Sequence, residues 1–514
     1  MNSTTVSAGD VLESVWAHVA YILAIVAICL SLPDEAYSHA GDHAFVLLGA
    51  IGAWRYGWGL LHFLRSIYYR KVDYPRLRAA AEAAAAGRPK PCAYLMVTSF
   101  RIDAATTSRV YRATFEAAKA APGKAVVVAS IVEMADQRLI KALYAQIIDP
   151  EDDVDLVLVR IAGTGKRDAL AFGFRAIAVR DPKPTDLVAV IDGDSVVPRD
   201  LVARCAPFFL LHDKVGALTT DELCEVEARQ IFREWWSLRF AQRQILMCSM
   251  GLSRRVLTLT GRMSMFRADL VCDPNFIRHV EVDYIDHWRL GRFKFLTGDD
   301  KSSWFSLLKG GYEMLYLPDV KIVTIEQPPS DSFVESAGML MTRWFGNMLR
   351  TNGRAIALGP RKIGLFTWWA ILDQRLSMWT CLTGVAFALL GTIFLTPFTL
   401  VFYAIWILAS RYVMSLMMFS VRDRMSIAYP FLLYFNQIFG SIVKVYVFFR
   451  LDKQKWTRQK TSNSRQILGW PQRLVGYSSI YMHVFSLSTF AVLVAFIMGI
   501  ATMPNHWSLI GRIF

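Results

Sequence analysis

Long uncharged stretches near both ends of the chain constrain its fold more than any other feature. Residues 376–410 contain 35 positions without a formal charge. One helix needs only about 20 residues to cross ~30 Å of hydrocarbon, so this run holds two spans, with Thr396-Pro397 supplying the turn between them. Residues 15–32, 44–64 (interrupted by Arg55) and 478–503 each read as one more span. A mean hydropathy of +0.31, with 54% hydrophobic and 19% charged residues, agrees with an integral membrane protein. Acidic Asp10 and Glu13 ahead of the first span, and no small-residue cleavage site after it, mark it as a retained helix.

Charge orients the spans. Asp34, Glu35 and Asp42 lie between the first two, whereas Arg65, Arg70, Lys71, Arg76 and Arg78 follow the second, so the next segment is expected in the cytoplasm. The net charge of +14 is what such loops carry and implies no nucleic-acid partner. Residues 426–449 are also apolar but hold Asn436, Gln437, Ser441 and Lys444, and six cations follow within residues 450–465. A span there would export those cations, so it is expected to lie along, or dip into, the cytoplasmic interface as an amphipathic helix. Seven scattered cysteines with no CxxC pair suggest free thiols rather than disulfides or zinc.

Between Pro91 and Pro328 the pattern changes. Short β-branched runs at 93–98, 125–132, 154–160 and 187–191 alternate with helical stretches at 106–121, 136–146 and 167–179, an α/β layout with buried parallel strands. The last of these runs ends in Asp192-Gly193-Asp194. Ligands of open α/β sheets bind beyond the carboxyl ends of the strands, and two aspartates so spaced can face one divalent cation. Read alone, the string is equally a turn. Gly298-Asp299-Asp300 offers a second acidic pair, whose mutual repulsion suits one carboxylate to general-base work, although two acids also favour an ordinary helix start. Gly163-Thr-Gly165-Lys166-Arg167 fails the phosphate-loop pattern, because Arg160 and Arg167 stand where Gly and Ser or Thr belong. It presents two cations near a strand end. Arg343-Trp344 and Trp456-Thr457-Arg458 pair an indole with a guanidinium, suited to a sugar ring and a diphosphate or, equally, to an interfacial belt.

In this order these strings resemble the processive, membrane-embedded glycosyltransferases of family 2, which include cellulose, chitin and hyaluronan synthases. Ser99, Arg101 and Asp103 are similar to the nucleotide-binding turn, Lys166 and Arg167 to the basic motif, and Asp192 and Asp194 to the DxD metal motif. Thr260-Gly261-Arg262 resembles the acceptor-loop region, Asp299-Asp300 the GDD catalytic motif, Arg343-Trp344 the end of QxxRW, and Trp456-Thr457-Arg458 the WxTR gating loop. Long strings, among them 95–103, 160–168, 287–305 and 446–452, are most similar to the mannuronan synthases of bacterial alginate polymerases. Two positions depart from the wider group: Leu340 stands at the head of QxxRW, and Ala129-Ser130-Ile131-Val132 replaces the acidic pair after the second strand.

The resemblance implies a cytoplasmic GT-A (Rossmann-like) domain inserted between transmembrane helices of the bacterial inner membrane. It implies GDP-mannuronate as donor, Mg²⁺ or Mn²⁺ as cofactor, growing β-1,4-polymannuronate as acceptor and product, and a partner membrane subunit carrying a cyclic-di-GMP receptor domain. Asp300 would be the base beside Asp299, with Asp194 and Asp192 on the metal. Ser99, Arg101, Asp103, Lys166, Arg167, Asp192, Arg343 and Arg458 would hold the donor, and Trp344, Gly261 and Arg262 the acceptor. The expected plan is two membrane helices over 1–64, the catalytic domain over 65–332, interface helices over 333–375, and two spans over 376–421. An interface helix and gating loop over 422–477 and a final span and tail over 478–514 complete it. Rival readings are a UDP-sugar polymerase of the same build, a single-transfer polyprenyl-phosphate enzyme, and a nucleotide-binding scaffold.

Overall fold

The computed structural model describes residues 8–34, 36, 42–456, 461–462 and 472–501. Two helices, α1 (Ala8–Leu30) and α2 (Asp42–Tyr68), come first, and α3 (Tyr74–Ala85) leads into the α/β segment. There β1 (Ala93–Thr98), α4 (Ala104–Lys119), β2 (Ala125–Ile131), α5 (Met134–Ile147), β3 (Val154–Arg160), α6 (Lys166–Ala178) and β4 (Leu187–Asp192) alternate as their apolar runs require. The rest of the sheet is β5 (Ser195–Val196), β6 (Val215–Val226), β7 (Met263–Arg267) and the long β10 (Glu313–Glu326). Helix α7 (Gln230–Gly251) precedes β7, a hairpin of β8 (Tyr284–His287) and β9 (Gly291–Lys294) follows it, and α8 (Asp299–Gly310) leads into β10. Beyond lie α9 (Phe333–Ala357), α10 (Leu365–Phe394), α11 (Phe398–Leu416), α12 (Tyr429–Phe448), a short pair β11 (Lys455–Trp456) and β12 (Thr461–Ser462), and α13 (Gln472–Ile497).

The chain forms two compact units, one of His62–Asp373 with Arg450–Gln472, the other of Met1–Leu61, Gln374–Phe449 and Arg473–Phe514. In the first, eight strands run in the order β3-β2-β1-β4-β7-β6-β10-β5. Strands β3, β2, β1 and β4 are mutually parallel, and β7 enters antiparallel to both β4 and β6. Every residue of β1 and β2 is buried, the signature of a sheet covered on both faces, and each buried Val or Leu contributes about 1.5–3 kcal/mol. Because Thr98 is level with Asp192 in the β1/β4 register, the two strands end together.

In the second unit, α10 and α11 are separated at Leu395–Pro397, where the turn is expected. Among the described residues four helices are long and apolar enough to cross a membrane: Leu365–Phe394, Phe398–Ser420, Tyr429–Phe448 and Leu474–Ile497. Helix α12, expected at the interface, is thus also long enough to span. Its C-terminal half packs on the start of α10, with Met378, Val445 and Phe449 in one buried cluster and Lys444 Nζ 3.5 Å from Ser377 Oγ. The segment entering its N-terminal end meets α1, where His18 Nε2 is 3.3 Å from Met425 O. The buried Arg411 of α11 finds partners in Gln437 and, at 3.5 Å, in Tyr56 OH, as a charge in hydrocarbon must.

Candidate active site

Where β1 and β4 end, their turns touch. Gly193 donates its N–H to Thr98 O at 2.9 Å. A Cβ on Gly193 would stand 2.6 Å from Ile102 Cδ1 and 2.8 Å from both Ser99 Oγ and Thr98 O, so only glycine fits between the two aspartates. Ser99 is buried with its hydroxyl 3.4 Å from Tyr111 OH, and forms the wall of this turn.

Three distant motifs converge on the same spot. Lys166, at the first position of α6, places Nζ 2.5 Å from Asp192 Oδ1 and 3.3 Å from Asp299 Oδ2. The antiparallel register of β7 on β4 carries Arg262 O to within 3.2 Å of Asp192 N. Gly261 then lies so close that a Cβ there would be 2.8 Å from Lys166 Nζ and 3.0 Å from Asp192 Oδ2.

Asp299 and Asp300 open α8 behind Gly298, whose φ of +86° favours glycine. That turn is held by groups the sequence did not advertise. Thr297 Oγ1 donates to Asn347 Oδ1 at 2.7 Å, and Arg350 donates to the same oxygen at 2.6 Å. Ser302 Oγ donates to Asp283 Oδ2 at 2.6 Å, and Asp283 pairs with Arg354 at 2.7 Å. Gln454 clasps the strand leading into the turn, accepting from Leu296 N and donating to Lys294 O, both at 3.0 Å.

This clustering separates the carboxylates electrostatically. Burial raises Asp192 to about 6, with Asp194 adding to the rise and Lys166 opposing it. For Asp299 burial acts upward too, but Lys166 and Arg167 overcome it and hold the carboxyl below its usual range. Asp300 moves the other way, raised by burial and then by the charge of Asp299. Lys166 is held above the ordinary lysine range, because Asp192 and Asp299 outweigh its burial. The site therefore contains one firmly ionised carboxylate, Asp299, beside one of raised proton affinity, Asp300.

Other expected residues are employed differently. Arg167, expected among the donor-binding residues, is buried, with donors on Val280 O at 2.7 Å, Thr297 O at 3.1 Å and Ser302 Oγ at 3.1 Å. It braces the turn of Asp299 instead of facing solvent. Asp103 caps α4, accepting from Thr106 N at 2.8 Å, which holds its carboxyl low, and the exposed Arg101 lies over the Phe100 ring. The Arg262 guanidinium is taken by Glu222 at 3.1 Å and Glu326 at 2.5 Å, so its main chain, not its side chain, meets Asp192. Arg343 and Trp344 lie half-buried on α9, with Trp344 packed against Trp235 and Trp236. Trp456 has its backbone in β11, and its side chain, with Thr457 and Arg458, falls outside the described residues. One signal for the missed Glu222 stood in the sequence: it is a charge, beside Asp221, inside the stretch Val215–Val226 that forms a buried strand.

Residues 89–347 match the model of the glycosyltransferase-like family 2. The chain is 46% identical over 474 residues to "Glycosyltransferase alg8" of Pseudomonas syringae pv. tomato, covering 92% of this chain and 96% of that one. It is 46% identical over 466 residues to the protein of the same name from Azotobacter vinelandii, covering 91% and 94%. Among solved structures, a mannosyltransferase from Pyrobaculum calidifontis in complex with GDP-Man and Mn²⁺ aligns with a TM-score of 0.47 at 18% identity, over 78% of this chain and 98% of that one. With a family match over residues 89–347 and relatives aligned over nearly their full length, the chain belongs to the family 2 glycosyltransferases and groups with the Alg8 proteins of alginate synthesis.

Proposed function

We propose that this glycosyltransferase of alginate synthesis polymerises mannuronate from GDP-mannuronate into β-1,4-polymannuronate, with inversion and processively. The observation that carries the reading is the meeting of Lys166, Asp192 and Asp299 at the carboxyl ends of the sheet, with Asp300 beside them at raised proton affinity. Asp300 takes the proton from the C4 hydroxyl of the acceptor while that oxygen forms its bond to C1 of the donor. The bond from C1 to the phosphate oxygen breaks, and GDP leaves. Lys166 supplies fixed positive charge where the leaving diphosphate develops its own.

Asp192 and Asp194 fit a divalent cation: both are acids at the end of β4, and burial with mutual repulsion already raises Asp192. These two carboxylates, together with the substrate's phosphates, would hold Mg²⁺ or Mn²⁺. Bound there, the cation would neutralise the diphosphate. Trp344 offers an aromatic surface for the acceptor ring.

The membrane helices support an inner-membrane enzyme with its catalytic domain in the cytoplasm, next to the cationic segment after α2. Helix α12 is read as oblique and re-entrant. Its C-terminal end packs on the start of α10 and the chain beyond it rejoins the catalytic unit, where Gln454 and Leu451 O are bonded. The product chain would leave through the helices, and a cyclic-di-GMP-receptor subunit would supply control. The test is to incubate membranes containing the chain and its partner with radiolabelled GDP-mannuronate, UDP-glucuronate or GDP-mannose. A polymer made from GDP-mannuronate and degraded by a mannuronate-specific lyase is expected; incorporation from either other donor instead would refute the assignment.

A further inference from the structure

An arginine with no counter-ion stands in the aromatic cluster that carries Trp344. Trp235 and Trp236 on α7 are 0% and 2% exposed. Trp344 stacks along Trp235 with ring centres 5.9 Å apart and meets Trp236 edge-on at 5.3 Å. Arg239, one turn beyond Trp235, holds its guanidinium carbon 4.2 Å from the Trp344 ring centre and 5.1 Å from that of Trp235. The ring faces attract the cation but satisfy none of its N–H groups. Among the described residues Arg239 forms no ion pair and no hydrogen bond.

The acids nearby are already engaged. Arg262 holds Glu222 and Glu326, and Arg243 approaches the other oxygen of Glu222 at 3.3 Å. Burial and the neighbouring Arg262 push Arg239 down to about 10, so it is still charged at neutral pH. Arg239 is thus left without a carboxylate of its own among the described residues. A half-buried indole, Trp344, with a guanidinium beside it that has no carboxylate of its own, supplies the parts of a site for a sugar acid, because the indole can pack on a pyranose and a guanidinium takes a carboxylate through two parallel hydrogen bonds. Its position suits an acceptor: Arg262, its cationic neighbour, is bonded through the main chain to Asp192.

We propose that Arg239, held between Trp235 and Trp344, binds the carboxylate of a uronate at the growing end of the acceptor and makes the site selective for an acidic chain over a neutral one. This rests on the reading of the chain as a uronate polymerase. The test uses the purified full-length protein in nanodiscs, without donor, titrated by tryptophan fluorescence with β-1,4-tetramannuronate and with its carboxyl-reduced counterpart, mannotetraose. The native protein should prefer the acidic tetramer by about tenfold or more, as a charged hydrogen-bonded pair provides. Arg239→Met should bring the two affinities within about twofold by weakening only the acidic ligand, and Arg239→Lys should keep part of the preference. Arg239→Met that retains the full preference, or loses both ligands equally, would overturn the inference; the second result would mark Arg239 as a strut for Trp344. Equal affinities in the native protein overturn it as well, while the lyase-sensitive product of the membrane assay still stands. A native protein that binds neither tetramer and makes no such polymer overturns the polymerase reading itself.

Discussion

Gly261→Ala measures what the bridging of Lys166 between Asp192 and Asp299 is worth. The new Cβ would lie 2.8 Å from Lys166 Nζ and 3.0 Å from Asp192 Oδ2, and neither neighbour is backbone. The ammonium group can therefore retreat, by roughly 0.6 Å if carbon and nitrogen are to reach an ordinary contact. Its pair with Asp192 then lengthens from 2.5 Å to about 3.1 Å. With an effective dielectric of ~20, that change forfeits about 1 kcal/mol of attraction. A cation so displaced should cost kcat about fivefold to tenfold, while the thermal midpoint moves by no more than ~4 °C. Polymer formation at saturating donor, read beside a thermal melt, is the assay. Unchanged kcat would mean that Lys166 leaves this position during turnover; a collapse of the melt would mean that Gly261 serves the backbone and not the charge.

Asp300→Asn should abolish polymer formation while leaving GDP binding within about twofold, whereas Asp194→Asn should weaken cation-dependent GDP binding as well; equal losses in both variants would dismiss the separation of base from metal ligand. Lys301 is pushed down to about 8 by burial, with Asp300 opposing and Leu257 O accepting from its Nζ at 2.6 Å. Since its folded value lies below that of the unfolded chain, the unfolded state binds more protons between about pH 8 and 10.5, so this group adds stability as pH rises through that window. Lys301→Met should flatten the rise in melts from pH 7 to 10, and an unchanged slope would contradict it. Cysteine at Ser462 should react with an impermeant maleimide only after cells are opened; labelling of intact spheroplasts would overturn the re-entrant reading of α12.

Strands β1 to β4 were legible because parallel strands buried on both faces must be continuous apolar runs, and the observed limits fall within one residue of the runs. Lys166 and Asp192 were nameable for the same reason, since each follows such a run, whereas Asp299 stood out as half of an acidic pair and Gly261 through the family resemblance. What the sequence did not disclose is which cations find partners indoors. Arg167 looks like a neighbour of Lys166, yet in a helix consecutive side chains diverge by about 100°. One reaches the carboxylates and the other the carbonyls of Val280 and Thr297, more than a hundred positions away. Arg262 is likewise claimed by Glu222 and Glu326, acids on two other strands. Such choices are made by tertiary register, which local pattern does not encode.

Gln454 spends its whole amide on the stretch just before Thr297, one hydrogen bond in each direction. At the very next residue the chain enters β11. A displacement of Gln454 is thus felt at the entrance to the turn bearing Asp299 and Asp300. The connection also works in reverse: a shift of that turn when substrate arrives would reset the starting point of the segment. The two stretches are therefore fixed to each other at this amide, and a change in the position of either is a change in the geometry of the other.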